Sequence, residues 1–91
     1  MRQDVMQRLH GQLAEIIPGA TVWIYGSLVS PNSFSGHSDI DIAIESMPGS
    51  KSIEYLQSVL SAATGYPVDI VWLGQSRLEE KIRRTGCRWT V

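Results

Sequence analysis

Apolar residues at Val5, Met6, Leu9, Leu13, Ile16 and Ile17 recur at three- and four-residue intervals. That spacing lines one side of a helix and predicts one from Arg2 to Ile17, stopped by Pro18-Gly19. The run Thr21-Val22-Trp23-Ile24-Tyr25 is β-branched and aromatic, too short for a buried helix, and ends at Gly26, so it reads as a strand. Ser27 to Ser38 carries Pro31, Asn32, Gly36 and a set of serines, the composition of a loop, with room for a helical turn just after Gly26. Strict alternation then returns in Asp39-Ile40-Asp41-Ile42-Ala43-Ile44-Glu45. On a strand it sends the three isoleucines to a core face, and Asp39, Asp41, Ala43 and Glu45 to the opposite face, where the carboxylates front an opening.

Ile53, Leu56, Val59, Leu60 and Ala63 predict a second amphipathic helix, closed by Gly65 just past its end. Val68 to Leu73 forms a third strand, apolar on both faces except for Asp69. Ser76 and Glu79 have the spacing of a capping box, predicting a third helix from Ser76 through Leu78 and Ile82 to Gly86. Cys87 to Val91 reads as a short edge strand. The order of elements predicts an α/β (α+β) sandwich, a small mixed sheet backed by helices on one face, in a single domain over residues 1–91.

The aspartates carry the chemistry. A carboxylate costs several kcal/mol to desolvate, and two of them two residues apart on one strand face, roughly 6–7 Å at the Cα level, repel each other. Asp39 and Asp41 therefore call for a cation, and Asp69, alone on an otherwise apolar strand, is the natural third member. Hard oxygen donors of this kind suit Mg²⁺, which takes a few carboxylates and completes its shell with water and phosphate. With two such ions, one would stabilise a leaving pyrophosphate and the other would activate an attacking hydroxyl. Taken singly each aspartate has a bland reading, as a strand-entrance residue, a solvated side chain or the partner of an arginine. Gly26-Ser27 adds a close backbone approach and a hydroxyl donor suited to phosphate, although alone it is an ordinary turn.

Gly26-Ser27, the intervening loop, Ser38-Asp39-Ile40-Asp41 and the later Val68-Asp69-Ile70-Val71 resemble the DNA polymerase β nucleotidyltransferase superfamily, and most of all its minimal nucleotidyltransferase members. The likeness runs through Lys81-Ile82-Arg83-Arg84-Thr85-Gly86 and Trp89, nearly to the end of the chain. It implies the polymerase β-like fold, with Asp39, Asp41 and Asp69 as metal ligands and catalytic residues. Asp69 would also help to deprotonate the acceptor, and Gly26 and Ser27, with Asp39 and Asp41, would bind the nucleotide. It further implies ATP as substrate with two Mg²⁺ ions. Minimal relatives are similar to the antitoxin half of bacterial two-protein systems, in which a helical HEPN-type ribonuclease toxin is silenced by AMP transfer onto a tyrosine. One departure from the pattern is that many relatives carry arginines soon after the serine, whereas here Leu28, Val29 and Ser30 follow and no Lys or Arg occurs until Lys51. That departure suits a second function, a non-catalytic module neutralising or scaffolding a helical partner by contact. A third, transfer to a small molecule, lacks an evident acceptor pocket.

A formal charge of −1 and a pI near 6.0 give no footprint for long nucleic acid or an anionic membrane. The single cysteine, Cys87, closes no intrachain disulfide, and no apolar run is long enough for a signal segment or a span, so the chain reads as cytoplasmic. A domain of 91 residues buries roughly 60–65% of its unfolded surface, which leaves apolar surface through which copies could associate. His37 in the loop reads as solvated, and His10 on the first helix has no partner visible in the sequence. Arg77, Lys81, Arg83, Arg84 and Arg88 read as a solvated basic face, with pairing to an acidic partner as the sharper option. Trp23, Trp72 and Trp89 read as core, with Trp89 also suited to anchoring an interface.

Overall fold

The computed structural model describes residues 2–29 and 39–91. The first helix, α1 (Arg2–Ile16), turns Val5, Leu9 and Leu13 inward, as its periodicity requires. Strands β1 (Thr21–Tyr25) and β2 (Ile40–Ser46) pair antiparallel. Helix α2 (Ile53–Thr64) crosses over to β3 (Val68–Trp72), which lies parallel to β2. After α3 (Glu79–Thr85), β4 (Cys87–Thr90) returns antiparallel to β1, so the mixed sheet has the order β3-β2-β1-β4.

The alternation in β2 sorts the two faces. Ile40, Ile42 and Ile44, with Val22 and Ile24 from β1 and Val68 and Ile70 from β3, form the main core under α1 and α2, where Leu9, Leu13, Leu56 and Leu60 meet them. Both helices thus cover one face, as expected. The third helix does not join them, because Ile82 packs with Trp23, Ala43 and Leu73 on the opposite face. Ala43 and Trp23 sit among the outward positions and make a small apolar patch there, and α3 covers it. Its start also differs from the capping-box expectation. Ser76 Oγ accepts from Leu78 N at 3.1 Å, building a turn, and the helix begins only at Glu79.

Helix α2 is better defined by local chemistry. Ser52 Oγ accepts from Tyr55 N at 3.1 Å as its N-cap, and Gly65, at φ 79°, ends it in the left-handed conformation that glycine adopts without a Cβ penalty. The same helix shields an open sheet edge. Gln57 Oε1 accepts from Ile70 N at 2.9 Å and Ser61 Oγ from Val68 N at 3.1 Å, one helical turn apart, so β3 offers fewer free donors to another strand. At the other end of the sheet, Val91 N donates to Ala20 O and Gly19 N to Val91 O, both at 2.9 Å, tying the last residue to the approach of β1. Trp89 is half-buried against the main core and meets the His10 ring edge-on at 5.0 Å, the partner of His10 that the sequence did not show. Trp72 is 37% exposed at the end of the edge strand, which corrects its core assignment: only one side of an edge strand is covered.

Candidate functional site

Register brings the site together. Tyr25 is the partner of Asp41 across β1 and β2, and Asp41 is the partner of Asp69 across β2 and β3. Three residues distant in sequence thus form one row across the sheet, on the face away from α1 and α2. Neighbouring strands lie about 4.8 Å apart, so the two carboxylates stand side by side. Asp39 lies two residues before Asp41 on the same side, just ahead of the strand, and is exposed. Among the described residues none of the three takes part in an ion pair, which removes the bland reading of Asp69 as an arginine's partner.

The electrostatics follow from this row. Asp41 is half-buried, and burial first, then the Asp69 and Asp39 carboxylates, raise its pKa above the ordinary carboxylate value. The Tyr25 phenol is likewise pushed up, by burial and then by Asp41 and Asp69. The row concentrates negative charge and, among the described residues, meets no positive group at ion-pair distance, which is the condition a divalent cation relieves. Among the described residues no three His, Cys, Asp or Glu side chains stand close enough to hold a metal by themselves. Asp41 and Asp69 are brought together, and Asp39 stands one pleat further along. Such a partial set fits Mg²⁺, which commonly takes one or two carboxylates and keeps water and phosphate oxygens for the rest.

Gly26 ends β1 directly over Asp41. It has φ 76°, and a Cβ there would run into the Asp41 carboxylate, with Cγ only 3.3 Å away. Its backbone conformation and the close approach both demand glycine. A single 3₁₀ turn, Gly26–Leu28, follows, in which Val29 N donates to Gly26 O and Leu28 is buried in the core. Ser27 is half-buried, and its Oγ donates to Asp39 O at 3.5 Å, joining the turn to the head of β2. This three-residue turn is the helical turn that the sequence left room for after Gly26, and it is too short to build up a helix dipole. His37 and Ser38 lie outside the described residues.

A cleft of about 360 Å³ opens over the row, lined by Tyr25, Gly26, Asp41 and Asp69 on the sheet side and by Leu78, Lys81, Ile82 and Thr85 from the α3 side. The sequence reading missed Tyr25 and this second wall. One signal was available: Leu78, Lys81, Ile82 and Thr85 follow the three-four-seven spacing of one helix face, so Lys81 shares a face with Leu78 and Ile82. Glu45, grouped with the carboxylates at the opening, belongs elsewhere. Its Oε1 accepts from Trp23 Nε1 at 2.8 Å and faces Arg88 Nε at 3.5 Å and Arg83 Nη1 at 3.8 Å. Arg83 also pairs with Glu79 at 3.1 Å and lies over the Trp23 ring, so this network ties α3 to the sheet beside the cleft.

The Trp23 indole N–H, followed by the Arg88 guanidinium, holds the Glu45 carboxyl below its ordinary range. Glu45→Gln keeps an acceptor for the indole but removes the charge opposite Arg83 and Arg88. The Glu45 side chain is 29% exposed and both arginines more so, so screening limits the expected loss to about 0.5–1 kcal/mol. A lowered folded-state pKa contributes stability above the unfolded-state value and loses it as pH falls through the folded-state value. Urea melts of wild type and Glu45→Gln should therefore differ more near pH 7 than at a pH below the folded-state value of Glu45. An equal gap at both would show that ionisation of Glu45 is not what holds the network.

The family model described as a nucleotidyltransferase domain matches residues 6–89. No curated protein sequence matches the chain. Among solved structures, the chain is similar to one described as the crystal structure of a toxin-antitoxin with AMP-PNP, at a TM-score of 0.68 and 21% identity. The likeness covers 100% of this chain and 75% of that one, and at this identity it shows the shared fold. Among the described residues no helix is long and apolar enough to cross a membrane.

Proposed function

Because the chain belongs to the nucleotidyltransferase domain family, we propose that it transfers AMP from ATP to a hydroxyl of a partner protein, a tyrosine of a helical HEPN-type toxin, and thereby acts as an antitoxin. One observation carries the reading: Asp41, beneath Gly26, and Asp69 stand in register on neighbouring strands in a cleft, in no ion pair among the described residues. The toxin-antitoxin structure with AMP-PNP, which shares the fold, supports the partner and nucleotide classes.

In this reading the acceptor oxygen attacks the α-phosphorus. An oxygen–phosphorus bond forms, the bond from that phosphorus to the bridging oxygen of the β-phosphate breaks, and pyrophosphate leaves. Asp69, exposed at the cleft, takes the hydroxyl proton. Asp39, Asp41 and Asp69 would hold Mg²⁺, which supplies Lewis-acid stabilisation of charge on the phosphates. Gly26 lets the phosphate chain approach the backbone without a side chain in the way, and Ser27 offers its hydroxyl from the turn. The test is to incubate the chain with its toxin partner, Mg²⁺ and ATP labelled at the α-phosphate. The expected result is label on the toxin, lost in Asp39→Asn/Asp41→Asn. Stable binding of the two proteins with no label transferred would refute the reading.

A second reading has an observation of its own. Leu28 is buried and Val29 packs against the core, so the turn after Gly26 offers no basic side chain at these positions, as suits a module that neutralises its partner by contact alone. Under it, Asp39→Asn/Asp41→Asn would still neutralise the toxin.

A further inference from the structure

We propose that Lys81 is the cation that grips the phosphates beyond the α-phosphate of a nucleoside triphosphate in this cleft, an inference that rests on the nucleotidyltransferase reading. The starting point is charge. Asp41 and Asp69 line the cleft and Asp39 stands beside it, and a triphosphate adds more negative charge than divalent ions alone would offset. The sheet side of the cleft gives no help, since no Lys or Arg lies between Ser27 and Lys51.

The other cations with described side chains are engaged elsewhere or lie away from the cleft. Arg83 and Arg88 are tied to Glu45 and Glu79. Lys51 sits over the Tyr55 ring at the start of α2, 5.4 Å from its centroid, and Arg8 is exposed on α1, in the layer behind the sheet. Arg77 and Arg84 are exposed and do not line the cleft. Lys81 alone among the lining residues is basic, and it is in no ion pair among the described residues.

Packing explains its place. Ile82 is buried against Trp23, Ala43 and Leu73, and this sets the rotation of α3 about its axis. With Ile82 inward, the neighbouring positions Leu78, Lys81 and Thr85 line the cleft. Thr85 Oγ1 donates to Lys81 O at 2.8 Å, so that hydroxyl is occupied within the helix and, on the α3 wall of the cleft, the Lys81 ammonium is the side-chain donor left for a ligand. In the proposed reaction the α-phosphate lies beside the carboxylates of the sheet. What reaches the opposite wall is the outer part of the phosphate chain, and a compact ammonium on a flexible stem suits it.

The test is titration calorimetry of the full chain with Mg-ATP and with AMP, at low and high salt, for wild type, Lys81→Met, Lys81→Arg and the control Arg84→Met. Loss of one charge-assisted contact should weaken Mg-ATP binding by about tenfold or more in Lys81→Met. AMP affinity should be unchanged, the salt dependence shallower, Lys81→Arg close to wild type and Arg84→Met indistinguishable from it. Wild type that binds Mg-ATP alongside a Lys81→Met variant that binds it equally well would overturn the assignment and leave the reading of the site intact. Equal losses for ATP and AMP would also overturn it, by showing a structural effect. Wild type that binds no Mg-ATP would remove the nucleotidyltransferase reading and Lys81's role together.

Discussion

Asp41→Asn is expected to make the metal-free protein slightly more stable while reducing nucleotidyl transfer on the order of a hundred- to thousandfold or more. Both effects have one cause. Asp41 is half-buried, stands in register with Asp69 and lies two residues from Asp39, so its charge is opposed by burial and by two neighbours. Asparagine has a similar shape and no charge, and removing the repulsion should gain about 0.5 kcal/mol, a few degrees in Tm for a chain of this size. The same repulsion is what a divalent cation relieves. Mg²⁺ should therefore raise the Tm of wild type and have little effect on Asp41→Asn, because a ligand that binds only the folded state stabilises it by mass action. Thermal melts with chelator and with Mg²⁺, run beside the transfer assay, read both. A variant that is less stable than wild type without metal would show that Asp41 is held by favourable contacts, contrary to the row of carboxylates described above.

Gly26→Ala should cost about 2–3 kcal/mol, on the order of 10 °C in Tm, and abolish nucleotide binding. Part of that cost is the left-handed backbone, φ 76°, which an alanine adopts at a penalty of about 1–2 kcal/mol. The remainder is the new methyl group meeting the Asp41 carboxylate, which must shift to make room. The two parts separate in a double-mutant cycle. In an Asp41→Ala background the carboxylate is gone, so Gly26→Ala should cost only the backbone part, a coupling of about 1 kcal/mol between neighbouring strands. Strict additivity would mean that the close approach of Gly26 to Asp41 has no energetic consequence.

Much of this molecule is legible one segment at a time, because the signals are local. The alternation from Asp39 to Glu45 determines which side chains of β2 are core, and the three-four spacing of Leu9, Leu13, Leu56 and Leu60 determines the buried faces of α1 and α2. Ser52 and Gly65 mark the ends of α2 through interactions within a few residues, and both act as their types suggest. Ser76 shows the limit of such local reading. A serine three residues before a glutamate was expected to start a helix, but its hydroxyl takes the amide two residues on, and the turn that results delays α3 to Glu79.

The candidate site divides along the same line. The residue types Gly26, Ser27, Asp39, Asp41 and Asp69, and the presence of three carboxylates wanting a cation, can be read from the chain, since desolvation and like-charge repulsion belong to the side chains themselves. Their registration cannot. Only the parallel pairing of β2 with β3 sets Asp69 beside Asp41 rather than a residue above or below it, and only the antiparallel pairing with β1 adds Tyr25 to the row. The second wall of the cleft is more remote still. Leu78 and Ile82 state that α3 has an apolar face, and nothing in their spacing says which side of the sheet will receive it. The patch of Trp23, Ala43 and Leu73 decides that, drawn from three separate segments, and in doing so it brings Lys81 into the cleft and leaves Glu45 to Arg83 and Arg88. Periodicity along the chain determined what each element buries; burial between elements far apart in sequence decided which charges meet.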